Sequence, residues 1–162
     1  PQLQTAVGQF DLPTATQYFA NGISPQTDLC GVVGDINVVT SQSPQLWHTA
    51  MAEAQPQQSF AYVPLPVANL ESFQEIIQAC QFKALSVTNP YKGWADSCAA
   101  VASGFGTANF LLSSGDDYHA FSTDGVGALQ ALANHGFTPN HKLLVIGNGG
   151  AAQSVVQFAL NN

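Results

Sequence analysis

Ala84-Leu85-Ser86-Val87-Thr88-Asn89-Pro90-Tyr91-Lys92 is a short apolar run that breaks at an Asn-Pro turn, which suits a buried parallel strand followed by a change of direction. Upstream, Leu29 to Asp35 (LCGVVGD) is a second run of this kind, ending in Gly and Asp. After a loop, Pro44 suits the first turn of a helix through Leu46, Trp47, Ala50 and Met51, with Ser43 as its N-cap. Ser59 to Val63 reads as another strand, broken by Pro64 and Pro66. Asn69 then caps a helix in which Leu70, Phe73, Ile76, Ile77 and Cys80 recur at helical spacing. Downstream, the pattern predicts a helix over Trp94 to Ser103. A hairpin is expected from 108–113 and 118–122 around Ser114-Gly115-Asp116-Asp117. Strands alternating with helices of ten or so residues indicate an α/β domain with a mainly parallel sheet.

From Thr123 the pattern changes. A helix through Val126, Leu129, Leu132 and Ala133 leads to Gly136 and a polar stretch, and a new strand, Leu143 to Ile146, runs directly into Gly147-Asn148-Gly149-Gly150-Ala151-Ala152 and another helix. This is the sequence form of the start of a Rossmann-type dinucleotide-binding unit. Glycines permit a tight turn and close approach of a pyrophosphate, which the helix N-terminus stabilises. The alternative is a turn that merely packs a helix on a strand. The acidic or basic residue that chooses between NAD and NADP is expected about twenty residues beyond the turn, past the last residue of the sequence.

The 162 residues are enough for one core of ordinary size, or for one domain and part of a second. The apolar fraction of 46% with only 8% charged residues fits a packed globular protein. A formal charge of −7, with no arginine among the three basic residues, argues against a nucleic-acid partner or an anionic lipid surface. Cys30, Cys80 and Cys98 lack CxxC or Cys/His ligand spacing and read as reduced, mostly buried thiols in a cytoplasmic protein. His48, His119, His135 and His141 are scattered, so no metal site is expected. No long apolar run or signal-peptide pattern occurs. The start at Pro1 and the stop at Asn162, in a helical pattern, predict a piece of something longer. No pattern sets an oligomeric state.

Lys92 is the first candidate for chemistry. An ammonium beside a carboxylate in a partly dry cleft can pass a proton to a ketone oxygen, whereas the bland reading is a surface lysine beside a turn.

In order, Gly31-Val32-Val33-Gly34, Ser41-Gln42-Ser43-Pro44, Ser86-Val87-Thr88-Asn89-Pro90-Tyr91-Lys92, Gly106 to Asn109, Ser122-Thr123-Asp124-Gly125-Val126-Gly127 and Gly147 to Ala152 resemble the motifs of the shikimate dehydrogenase family. The resemblance covers roughly residues 29 to 162. It implies a substrate-binding domain over 29–122, and a connecting helix with the first βα of a cofactor domain over 123–162. Residues 1–28 would be an N-terminal extension or a linker, and Gly8-Gln9 resembles the junction in fused dehydroquinate dehydratase and shikimate dehydrogenase proteins. The implied activity is reversible NADP-linked reduction of 3-dehydroshikimate to shikimate, in the shikimate pathway to chorismate and the aromatic amino acids, with NAD as alternative cofactor. Without the rest of the cofactor domain, this stretch alone is expected to be inactive.

The resemblance also implies residue roles. Lys92 and Asp124 would form the catalytic pair, with Lys92 exchanging a proton with the reacting oxygen and Asp124 orienting it. Ser41, Ser43, Ser86, Thr88, Asn109 and Thr123 would bind substrate, the first two at its carboxylate. Ser43 has the alternative role of N-cap alone. Gly147, Asn148, Gly149, Gly150 and Ala151 would hold the cofactor. Ser86 stands where most members have an asparagine, Ser122 replaces the asparagine of NTD, Phe110 a threonine and Thr40 a histidine. The shorter Ser86 would leave a gap for a water or a bulkier substrate, which keeps quinate as an alternative. A second alternative is a module that senses a shikimate-like acid without turnover.

Overall fold

The computed structural model describes residues 24–55 and 57–161. The chain divides into two compact units between Ser86 and Val87. In the first, β1 (Asp28–Gly34) lies between β2 (Phe60–Pro66) and β3 (Ala84–Val87). β1 and β2 run parallel, with Cys30 opposite Tyr62 and Gly31 opposite Val63. A 3-10 turn (Ile36–Thr40) and helix α1 (Ser43–Ala54) connect them, and α2 (Leu70–Ala79) connects β2 to β3. This strand, helix, strand, helix, strand order is the expected α/β arrangement.

β2 reaches further than its prolines suggest, because it lies on the outer side of β1, where a strand tolerates residues without an N–H. Gly31 has a packing reason: a Cβ there would stand 2.7 Å from the Val63 carbonyl oxygen and 2.9 Å from Leu65 Cδ1. Cys30, Val32, Val38 and Tyr62 form a core cluster against which Phe60 and Ala84 pack. Asn69 caps α2 through its side chain, which accepts the Ser72 N–H at 2.9 Å, and Phe73 from that helix is fully buried. The capping reading of Ser43 is corrected. Ser43 is already helical, and it is Ser41 Oγ that accepts the Ser43 N–H, at 3.2 Å.

In the second unit, the turn from Thr88 to Tyr91 closes with the Tyr91 N–H on the Thr88 carbonyl and contains a cis Asn89–Pro90 bond. Helix α3 follows at once but spans only Lys92–Cys98. It stops short of the expected Ser103 because the chain turns to pair with its neighbour: the Ala100 N–H binds Tyr118 and Val101 bridges His119. β4 (Phe110–Ser114) and β5 (Asp117–Phe121) form the expected antiparallel hairpin. Its two-residue turn starts at Gly115 with φ +65, a conformation that favours glycine. α4 (Asp124–Asn134) ends in a Schellman motif, in which Phe137 N–H binds Leu132 and Gly136 N–H binds Ala133.

The strand expected over 143–146 does not form. A strand needs a ladder partner, and among the described residues none pairs with this segment; Leu144 is 82% and Ile146 90% exposed. Helix α5 (Gly150–Asn161) does begin at the glycine-rich turn. The thiols are less buried than expected. All three are free, but only Cys30 is buried, Cys80 is half-buried and Cys98 exposed. Burial pushes the Cys30 thiol up to about 11. The junction motif at Gly8-Gln9 lies outside the described residues. Among those residues, no helix is long and apolar enough to cross a membrane.

Candidate active site

Lys92 is the first residue of α3 and Asp124 the first of α4, so both side chains hang from helix starts. Lys92 Nζ donates to Asp124 Oδ2 at 2.6 Å. The two side chains are 14% and 26% exposed, sheltered enough to hold one geometry and open enough to meet a small molecule. A carboxylate at the N-terminus of α4 also sits at the favourable end of that helix.

Asn109 sets the α4 start. Its Oδ1 accepts the Thr123 N–H at 2.6 Å, and its Nδ2 donates to Thr123 Oγ1 at 2.7 Å. Both ends of the amide therefore grip the residue before Asp124. Asn109 is itself placed by the hairpin and by Val87 of the same unit: its N–H binds Phe121 and its carbonyl accepts the Val87 N–H. The loop leading to it is organised by buried Asp96, whose Oδ1 accepts the Ser103 N–H at 2.7 Å. Ser103 Oγ donates to the Thr107 carbonyl, and the Ala108 N–H returns to the Lys92 carbonyl at 2.9 Å.

The other side of α4 is held by Ser154 of α5, a fully buried serine. Its Oγ accepts the Gly125 N–H at 2.9 Å and lies 2.7 Å from Ser122 Oγ. Thus Ser122 is tied into the support of the α4 start. Gly125 permits the approach, since a Cβ there would overlap the Ser154 carbonyl. Nothing in the sequence marks Ser154, which is one of several polar residues on a mixed helix that also carries Gln153 and Gln157.

The glycine-rich turn lies against the Lys92 stem. A Cβ on Gly150 would stand 3.1 Å from both Cβ and Cδ of Lys92, and Thr107 Oγ1 donates to the Gly150 carbonyl at 3.3 Å. Gly147 has φ +123, which favours glycine. With the N–H groups of the first turn of α5 beside it, this turn has the form of a cradle for a phosphate or pyrophosphate, so Gly147, Asn148, Gly149, Gly150 and Ala151 fit the cofactor role.

In the first unit, Ser41 and Ser43 flank the start of α1, both half-buried. Hydroxyls at the N-terminus of a twelve-residue helix suit a carboxylate. Ser86 on β3 is also half-buried, and Tyr62 Oη donates to its Oγ at 2.7 Å. A protein hydroxyl therefore stands beside the shorter side chain, where the sequence alone suggested a gap. His48 Nε2 accepts the Tyr62 N–H at 3.2 Å, an acceptor role open only to the neutral ring. Burial lowers the His48 pKa below 6.5. Neither His48 nor Tyr62 carried a site reading in the sequence.

No family model matches the chain. It is 30% identical over 139 residues to shikimate dehydrogenase (NADP(+)) of Syntrophomonas wolfei subsp. wolfei, covering 83% of this chain and 47% of that one. It is also 30% identical over 159 residues to the shikimate biosynthesis protein AroDE of Chlamydia muridarum, covering 93% of this chain and 32% of that protein. The crystal structure of shikimate 5-dehydrogenase from Thermus thermophilus in complex with NADP(H) and shikimate superposes with a TM-score of 0.68 and 27% identity, covering 82% of this chain and 51% of that one. The chain thus spans about half the length of the shikimate dehydrogenases it matches, or less.

Proposed function

We infer that this chain, a member of the shikimate dehydrogenase family over the part of its relatives' length that it spans, supplies the substrate-binding and proton-transfer side of an NADP-dependent shikimate dehydrogenase. The observation that carries this reading is the 2.6 Å contact between Lys92 Nζ and Asp124 Oδ2 beside the glycine-rich turn. When bound, NADPH supplies the hydride for the carbonyl carbon of 3-dehydroshikimate. Lys92 donates a proton from Nζ to the oxygen that becomes alkoxide, and is reprotonated from solvent. In shikimate oxidation it accepts that proton. Asp124 keeps the ammonium aimed, and Asn109 with Thr123 keeps Asp124 in place. Ser41 and Ser43 take the substrate carboxylate, Thr88 meets one of its hydroxyls, and Ser86, Asn109 and Thr123 complete the substrate contacts.

The test is reduction of NADP or NAD at alkaline pH by the whole protein, with shikimate and quinate each offered. Turnover of shikimate with NADP is expected. Preference for quinate would reassign the substrate, and preference for NAD the cofactor. Shikimate-dependent thermal stabilisation without turnover would replace the enzyme reading with that of a metabolite sensor.

A further inference from the structure

Ser86 has a short side chain with one rotating hydroxyl, and nothing in its own geometry decides whether it donates or accepts. Tyr62 decides it. The phenol donates to Ser86 Oγ at 2.7 Å, which occupies a lone pair and leaves the serine hydrogen for another acceptor. Tyr62 can hold this geometry because it is fixed at every point. Its side chain is 1% exposed, its ring stacks on Trp47 at 5.8 Å and 16°, and Phe60 lies against it at 6.2 Å. Its backbone N–H is taken by His48 Nε2. Burial pushes the phenol up to about 12, so it remains protonated at neutral and moderately alkaline pH.

We propose that Tyr62 is a positioning residue that holds Ser86 as an outward hydrogen-bond donor to an oxygen of the bound substrate. This rests on the substrate role of Ser86 under the dehydrogenase reading. The bland reading is that Ser86 merely satisfies a buried phenol, and the two part company in kinetics. A positioning role raises the KM and leaves the chemistry alone. A packing role lowers stability alone.

The test uses Tyr62→Phe, Ser86→Ala and the double variant in the whole protein, with kcat and KM for shikimate and thermal unfolding for each. Tyr62→Phe keeps the ring and its stacking, so the fold is retained. It is expected to raise KM about fivefold, the size of one ordinary hydrogen bond, with kcat within about twofold. Because Tyr62 acts through Ser86, the double variant should match Ser86→Ala alone in KM. A Tyr62→Phe variant that changes only thermal stability overturns the proposal, as do KM effects of the two substitutions that simply multiply. Absence of shikimate turnover in the unmodified protein overturns the dehydrogenase reading, and this inference with it.

Discussion

Replacing Gly125 by alanine sets two effects of opposite sign against each other. Alanine is the better helix former by about 1 kcal/mol, and Gly125 is the second residue of α4. Against this, a Cβ at position 125 would overlap the Ser154 carbonyl oxygen and stand 2.8 Å from Phe158 Cβ. The first of these neighbours is backbone and cannot rotate away, so α5 would have to shift. Overpacking of this kind costs about 1–3 kcal/mol, and disturbing the buried Gly125 N–H to Ser154 Oγ bond adds about 1 kcal/mol. The overlap wins, and a net loss of about 1–3 kcal/mol is expected. Gly127 provides the control, because it lies in the same helix and nothing stands within 4 Å of its Cβ position. Gly127→Ala should instead gain up to about 1 kcal/mol. Equilibrium urea unfolding of both variants measures the gap, expected at about 1–4 kcal/mol with unchanged m. Equal stabilisation by the two substitutions would refute the close packing of α4 on α5. Asp124 immediately precedes Gly125, so Gly125→Ala should also reduce turnover, while Gly127→Ala should not.

Lys92→Ala should retain the fold by circular dichroism and lower kcat by about two or more orders of magnitude, with Asp124→Asn also acting mainly on kcat; unchanged turnover in Lys92→Ala removes it from the mechanism. Ser43→Ala should raise KM for shikimate, and a variant altered only in melting temperature would leave Ser43 as part of the helix start and nothing more. His48 has a folded pKa below the ordinary 6.5, so between the two values the unfolded chain binds more protons than the folded one. Its contribution to stability is therefore complete above pH 6.5 and lost as pH falls toward the folded value. Unfolding free energies measured from about pH 7.5 to about pH 5 should fall less steeply in His48→Gln, which keeps an acceptor for the Tyr62 N–H but cannot titrate. Parallel pH profiles would exclude His48 as the source.

Legibility followed the range of the forces involved. Asn69 and its helix, the Gly115 turn and the Gly136 stop could be read directly, because capping, left-handed glycine and helical periodicity act within a few residues. The end of α3 could not. Its continuation is locally acceptable, and it stops at Cys98 because Ala100 and Val101 pair with β5, a contact that exists only once the chain has folded back. Likewise 143–146 has the apolar pattern of a strand, yet a strand is a property of a pair, and among the described residues it has no partner. Lys92 and Asp124 were named through their motifs, but their 2.6 Å contact joins residues 32 apart in sequence. The Tyr62 donation to Ser86 and the Ser154 bonds to Ser122 and Gly125 left no trace in pattern or motif. Local backbone preference and periodicity suffice for the order of most elements, whereas the partners of each side chain depend on how those elements pack, which no short window of sequence contains.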